Sequence, residues 1–384
     1  MRAHRRVLLT LLVATGSVVL LMGLVALGRA SEGPISATFL RLGRLVAGLE
    51  TQMVRAVRGP GRTAELAWLE PLRSSSDSLR NPRRLLLGAY DDGAPATLQG
   101  VVDLEDVLSV KFPLIHVYTA WGDQEDQKFP QRLVDAVYTL GSIPVITWEP
   151  WLSTFENRLH PHLPLREDRD VNGLASVARG DYDFYVDEWA REAAAWGHPL
   201  LLRLAHEFND PYRYPWGPHN NGIEDFILAW RHVVERFRAA GAHNVLWVWS
   251  PHVAYQGYER YWPGDDYVDW VATGALNYGT VAYWSQWWSF DEIFGRHHEF
   301  LTGFGKPLMI AEFGTLSAGG DRSVWFRSAL DGIRNRYPGV QALLFFHVEQ
   351  DGTVTRQAVD WGFRDDAGVA ETVKEMLDVL EPRR

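Results

Sequence analysis

A (β/α)8 barrel, preceded by an N-terminal transmembrane helix and a helical connector, is the architecture this sequence predicts. Three observations carry that reading. Eight short apolar runs recur after Arg84: Leu85-Tyr90, Leu114-Thr119, Pro144-Trp148, Pro199-Ala205, Val245-Trp249, Trp270-Leu276, Pro307-Ala311 and Ala342-Phe346. Runs this short, bounded by turn residues, read as strands buried on both faces of a parallel sheet. Amphipathic segments lie between them, including Val186-Trp196, Ile223-Ala240 and Val324-Tyr337. In the first, Val186, Trp189, Ala190, Ala193 and Trp196 share one face. Strand-helix alternation eight times over about 300 residues is the barrel pattern. An open doubly wound sheet is the structural alternative. No Gly-rich phosphate loop follows an early strand, which argues against its nucleotide-binding versions.

Ahead of the barrel, Arg2, Arg5 and Arg6 precede a run without charge from Val7 to Gly28. About 20 such residues suffice to cross a bilayer as a helix. Leu27-Gly28-Arg29-Ala30 is a poor cleavage site, so residues 1–28 read as an uncleaved anchor. The arginines then stay cytoplasmic and the rest of the chain lies outside that membrane, periplasmic or extracellular. Residues 29–80 read as a connector, a stalk or a flap on the main domain. Phe39, Leu42, Leu45, Val46 and Leu49 are spaced for one helix face, and Arg58-Gly59-Pro60-Gly61 is expected to break the helix. A second short helix is expected around Ala64 to Leu72. Residues 81–384 form the barrel domain, with a loop over its mouth from Trp151 to about Gly180.

Composition narrows the function. The 384 residues carry a net charge of -10, and no basic stripe follows the first residues, which excludes a nucleic-acid partner. There is no cysteine, hence no disulfide, thiol chemistry or cysteine metal site. The 17 Trp are many for this length, and several fall in loops beside Gly and Pro, where flat faces suit sugar rings. Trp121, Trp148, Trp151, Trp284, Trp287 and Trp288 are each readable as sugar platform or as packing. Trp247 and Trp249, two apart on the fifth strand, share one face. His160, His162, His297 and His298 lack metal-ligand spacing, so no metal and no cofactor is expected. No Gly-x-Ser-x-Gly elbow appears, which argues against an esterase triad.

Chemistry in such a barrel sits at the C-terminal ends of the strands. Those positions hold Asp91 and Asp92, then Tyr118, Ala120 and Trp121, then Glu149, then His206 and Glu207. Asn277 and Tyr278, Glu312, and His347 and Glu349 follow. A carboxylate at such an end needs solvent or a partner; for Glu207 an ion pair with Arg203 is the plain explanation. Glu207 and Glu312 come from strands four and seven, across the mouth from each other. Two facing carboxyls are what glycosidic cleavage requires, one protonated and one ionised.

The segment Gly180-Asp181-Tyr182-Asp183, the helix with Trp189 and Ala190, and His198 to Asn209 resemble the fourth-strand pattern of glycoside hydrolase family 26. These are retaining β-mannanases and β-glucanases of a barrel clan with glutamates on strands four and seven. Tyr214-Pro215-Trp216-Gly217 and Lys306 to Gly314 are similar to its next loop and its seventh strand. The resemblance implies Glu207 as acid/base and Glu312 as nucleophile. It implies that His206 orients the acid or contacts sugar, that Arg203 and Tyr278 keep Glu312 ionised, and that Trp216 stacks on a sugar. Asn277, Trp121, Trp151 and Trp287 complete the expected sugar contacts. Leu276 stands where the mannanases often carry Asp, and Phe345-Phe346-His347 where a Trp is usual, so a β-glucan suits the site as well as a β-mannan. The expected protein is thus a monomeric endo-β-glycanase acting on a polysaccharide, with its acidic tips about 5 to 5.5 Å apart. A non-catalytic polysaccharide-binding or export component, a lyase or a transglycosylase on the same barrel is the alternative.

Overall fold

The computed structural model describes residues 52–94, 97–355 and 357–380. The expected anchor, residues 1–28, and the connector up to residue 51 lie outside the described residues. Among the described residues no helix is long and apolar enough to cross a membrane. The chain divides into two units, Met1–Val57 and Arg58–Arg384, and the barrel belongs to the second.

Eight parallel strands close on themselves in sequence order: β1 (Leu86–Asp91), β2 (Leu114–Ala120), β3 (Ile143–Glu149), β4 (Leu200–Leu204), β5 (Val245–Trp249), β6 (Trp270–Asn277), β7 (Leu308–Thr315) and β8 (Val340–His347), with β8 pairing back to β1. Each expected run coincides with one strand. The largest difference is β7, which continues four residues past Ala311, so Glu312 lies within the strand. The amphipathic segments are the helices Asp183–Trp196, Ile223–Ala239 and Arg322–Asn335. Gly197, at φ 74°, ends the first in a conformation that costs glycine little. The Asp321 side chain accepts from Val324 N and starts the third.

Inside the barrel, alternate residues build the core. Leu86, Leu114, Val145, Leu201, Leu246, Val248, Ala272, Met309, Ala311 and Leu344 form one fully enclosed cluster toward the strands' N-terminal ends. Trp247 and Trp249 face the other way. Trp247 meets Trp230 and Phe237 of the helix Ile223–Ala239, and Trp249 meets Phe208 and Trp262. They fill the layer between sheet and helices.

The bottom of the barrel is stoppered by residues 58–80. Leu69 and Leu79 are fully buried in the same cluster, each burial contributing about 1.5–3 kcal/mol. Leu79 O also accepts from Trp270 Nε1 at 3.1 Å, and Arg80 pairs with Asp269 at 2.6 Å. This part of the expected connector is therefore barrel floor. The expected break at Gly59-Pro60-Gly61 does not occur: residues 58–65 are helical. Buried Arg62 explains this, because tertiary anchoring overrides local propensity. Its guanidinium pairs with buried Glu105 and reaches Leu140 O and the Ser142 hydroxyl.

The insertion over the mouth carries short helical pieces at Leu152–Thr154, Arg166–Asp168 and Gly173–Ala178. Buried Arg169 ties it together, donating to the carbonyls of Pro164, Leu152 and Phe155.

Candidate active site

The alternation that fills the core continues upward and changes from apolar to polar. Above the leucines, the inward positions are Tyr90 on β1, His116 and Tyr118 on β2, Thr147 and Glu149 on β3, and Arg203 on β4. On β7 simple alternation fails. Met309 and Ala311 face the core, so strict counting would turn Glu312 outward and Phe313 inward. The opposite occurs. The register shifts between Ile310 and Phe313 against β8, and between Thr273 and Gly274 on β6 against β7. This bulge turns Glu312 into the barrel and Phe313 out onto Trp325 and Phe326.

Glu312 is held on one side only. Arg203 Nη1 donates to its Oε1 at 2.6 Å and the Tyr118 hydroxyl to the same oxygen at 2.8 Å. Arg203 is fully buried and braced by the Ser250 and Thr147 hydroxyls. Burial works against ionising Glu312, but the Arg203 charge and these two hydrogen bonds outweigh it and hold the carboxyl well below the usual range. His206 adds no charge, since burial and then Arg203 push its ring far below the usual histidine value. Oε2 of Glu312 accepts no hydrogen bond from any described residue and faces Gly274.

Glu207 lies three residues past the end of β4, with φ 52°, after Ala205 at φ 44°. Both angles are rare for residues with a Cβ and mark backbone held by its surroundings. Here Glu207 N donates to Ser250 O at 2.7 Å, and its carbonyl accepts from Asp210 N at 2.8 Å. Arg213 Nη1 donates to Glu207 Oε2 at 3.1 Å, and Oε1 lies 3.9 Å from His252 Nε2. The two carboxyls flank Gly274. A Cβ built there would stand 3.8 Å from Glu207 Oε1 and 3.8 Å from Glu312 Oε2, so these oxygens lie within twice that distance of each other.

A third acidic group stands beside them. Glu149 accepts from Trp151 Nε1 at 3.1 Å and lies 3.9 Å from His206 Nδ1, a buried nitrogen without a hydrogen-bond partner. Burial raises the Glu149 pKa to about 7 against the opposing Trp151 hydrogen bond and Arg203 charge. His206 Nε2 meets the Tyr214 hydroxyl at 3.0 Å.

The expected sugar contacts divide. Arg203, His206, Glu207 and Glu312 come together: Arg203 pairs with Glu312, the partner the family resemblance implied, and Glu207 pairs with Arg213 and not with Arg203. Trp151 is half-buried at the edge of the same cluster, its ring 5.3 Å from Trp216 and 6.4 Å from Tyr214. Trp121 is a correction. It is fully buried, its ring packed at an angle against those of Trp148, Tyr182 and Tyr185, and offers no open face to a sugar. Trp216 is another. At 2% exposure it lies under Tyr214, rings 4.6 Å apart, and donates to His206 O at 2.8 Å. It supports Tyr214 instead of offering its own face. Asn277 is fully buried, donates to Thr315 Oγ1, and accepts from Gly279 N and Trp288 N. It shapes the loop and has no face for sugar. Tyr278 makes no hydrogen bond to Glu312; it packs edge-on against Trp284 and Trp361. Trp287 lies over Gly279, Gly319 and Gly320, where a Cβ at Gly320 would come within 2.3 Å of its ring.

The residues the sequence reading missed are Tyr118 as the partner of Glu312, Arg213, Tyr214, His252 and Gly274. Tyr118 is legible in retrospect, two residues from His116 on the inward face of β2. Arg213 and His252 sit on loops, where no period signals a direction. Glu207, Asp210 and His252 bring ligand-type atoms within 4.8 Å of one another, but nothing else there points to an ion.

Known proteins resemble this chain in sequence and in fold. A family model described as glycosyl hydrolase family 26 matches residues 178–306, the stretch containing β4 and Glu207. Endoglucanase H of Acetivibrio thermocellus is 33% identical over 276 residues, covering 70% of this chain and 28% of the relative. A β-1,3-xylanase, TXYA, of a Vibrio species is 35% identical over 154 residues, covering 37% of this chain and 29% of the relative. The chain thus spans under a third of the length of these two relatives. Among solved structures, a family 26 β-mannanase from Bacteroides ovatus superposes with a TM-score of 0.58 at 18% identity, covering 83% of this chain and 94% of the other. With this fold, and with glutamates at the ends of its fourth and seventh strands, the chain belongs to glycosyl hydrolase family 26.

Proposed function

We propose that this chain is a retaining endo-β-glycanase that hydrolyses internal bonds of a β-mannan or β-glucan with two glutamates and no cofactor. The observation that carries the reading is the division of labour between the two oxygens of Glu312. Oε1 is held by Arg203 and Tyr118, and Oε2 is free and directed toward Glu207 across Gly274. Oε2 attacks the anomeric carbon while Glu207 delivers its proton to the departing glycosidic oxygen, and the carbon-oxygen bond breaks. Glu207, now ionised, takes a proton from water; the water oxygen attacks the same carbon and Glu312 leaves. Retaining pairs stand about 5–5.5 Å apart and inverting pairs about 6.5–9.5 Å. The bound set at Gly274 admits the first and the lower end of the second, and it is the hold on Glu312 that favours a nucleophile which must also leave.

Screening residues 58–384 against mannan, mixed-linkage glucan, cellulose and xylan identifies the substrate. Proton NMR of the first product should show the β-anomer; an α-anomer overturns the retaining mechanism. Glu312→Ala should abolish turnover with the fold intact. Glu207→Ala should spare substrates with activated leaving groups more than natural glycans, because these need less acid help. Longer chains as main products would make the protein a transglycosylase, an unsaturated sugar a lyase, and binding without any product a carbohydrate-binding component. The proposal places this domain outside a membrane, anchored by residues 7–28. Full-length chain that fractionates as soluble, or that resists protease added to spheroplasts, sinks that part.

A further inference from the structure

Two arginines stand beside the carboxyl pair, and they are engaged unequally. Arg203, on β4, is committed to Glu312: Nη1 donates to its Oε1 at 2.6 Å, and the Ser250 and Thr147 hydroxyls brace the guanidinium in full burial. Arg213, on the loop after β4, has one ion-pair partner among the described residues, Glu207 Oε2 at 3.1 Å. Its Nε and Nη2 donate to no described residue, and 24% of its side chain is exposed. The guanidinium is nonetheless fixed in place. It lies 5.0 Å from the centre of the Tyr214 ring, which is itself stacked on Trp216. Neighbouring acids offer no second partner. Asp210 accepts from Tyr212 N instead, and burial, against the Trp151 hydrogen bond and the Arg203 charge, keeps the Glu149 proton in place up to about pH 7.

The reaction removes the one partner that Arg213 has. Glu207 must carry a proton while the substrate is bound, because it gives that proton to the departing oxygen. A protonated carboxyl has no charge, so Arg213 then lacks a counter-ion. A half-buried charge in that state costs free energy that solvent only partly returns. After the proton has gone, Glu207 is an anion and the pair is restored. An anion on the departing sugar fills the gap at the right stage. It faces Arg213 while Glu207 is protonated, and it leaves with the product as Glu207 ionises. A carboxylate suits the two open donors, since its paired oxygens match the guanidinium fork. We propose that Arg213 selects glycans that carry a carboxylate on the sugar at the leaving-group side of the cleaved bond, so that the substrate is an acidic polysaccharide. The inference rests on the glycanase reading and narrows its substrate.

The test uses mannan and mixed-linkage glucan, each compared with its 6-oxidised form, which carries uronate carboxylates, and with its carboxymethyl form, which carries pendant ones. Wild-type kcat/KM should be higher on at least one carboxylated form than on the neutral parent, on the order of 10-fold, and Arg213→Gln should lose the preference. The chain as a whole carries a net charge of -10 and repels polyanions, so a preference reports a local contact. Equal or lower kcat/KM on both carboxylated forms overturns the proposal, as does a preference that Arg213→Gln retains; cleavage of the neutral parents leaves the hydrolase reading intact in either case. Titration calorimetry with short fragments of the same glycans needs no turnover. Glu207→Gln imitates the protonated acid and should bind a carboxylated fragment on the order of 10-fold more tightly than the neutral one, whereas Glu207→Gln/Arg213→Gln should bind the two alike. Equal binding by Glu207→Gln overturns the proposal. If wild type cleaves no glycan in any form and Glu207→Gln binds none, the glycanase reading fails and this inference fails with it.

Discussion

Replacing Tyr118 by Phe removes one hydroxyl and leaves the ring among Tyr90, His116 and His206. The lost bond is the 2.8 Å donation to Glu312 Oε1, an oxygen that keeps Arg203 at 2.6 Å, so no buried acceptor is orphaned. A hydrogen bond to a charged group contributes about 1.5–3 kcal/mol. When Glu312 attacks, its charge passes into the new bond and the hydroxyl's hold weakens. When Glu312 leaves, the charge returns and the hydroxyl helps. The substitution should therefore slow breakdown of the covalent intermediate by up to about 10- to 150-fold without slowing its formation. Intermediate accumulates, so kcat and KM fall together and kcat/KM holds. Rapid mixing with an aryl glycoside should show a burst of phenol matching the enzyme concentration. Unchanged kcat, or a lower kcat at unchanged KM without a burst, refutes the reasoning. Stability gives a second check. Glu312 is held below its ordinary value of 4.5, so its stabilising contribution is complete above that pH and is lost as pH falls through the folded-state value. The Phe variant moves that value upward. Its destabilisation in urea should be greatest at neutral pH and shrink in acid.

Gly274→Val should cut activity at least 100-fold without unfolding the barrel. Its methyl groups would extend about 1.5 Å beyond a Cβ already in contact with both carboxyls; substantial activity in a folded variant would show that the space between them is not the reaction site. Glu149→Gln should stabilise the protein in a pH-dependent way. The folded state keeps the Glu149 proton up to about pH 7, whereas the unfolded chain releases it near 4.5, so wild-type stability drops as pH rises between them. The gain should be near zero at pH 4.5 and on the order of 3 kcal/mol above pH 7; urea melts showing a pH-independent difference would refute it. Trp121→Ala should cost about 3–5 kcal/mol of stability, as for any large buried ring. Steady-state assays on its folded fraction should give wild-type kcat and KM; a raised KM would return Trp121 to the groove.

The barrel was legible because buried parallel strands are short apolar runs, and each run of this chain stops near its observed strand end. The floor of the barrel was not. Arg58-Gly59-Pro60-Gly61 carries every local signal of a break, and only the distant pairing of Arg62 with Glu105 explains the helix there. Among the candidate site residues, Arg203, His206, Glu207 and Glu312 assemble as expected because each sits on a strand or within three residues of its end. Trp121 and Trp216 do not serve as expected. Past a strand end no period states which way a ring points, and packing against Trp148 and Tyr182, or under Tyr214, settles it.

From its residues alone, this chain determined eight strands, their order, and the two glutamates brought to the mouth of the barrel, since burial and pairing act on every residue of a run and leave a pattern. The tertiary structure decided where those glutamates point and what holds them. Glu312 faces inward only because a bulge adds one residue to the count, and Glu207 is posed by left-handed backbone at Ala205 and at Glu207 itself. Arg213 meets Glu207 within one loop, but Tyr118 of β2 meets Glu312 of β7 through closure of the sheet. Closure joins residues far apart in sequence, and no local pattern encodes it.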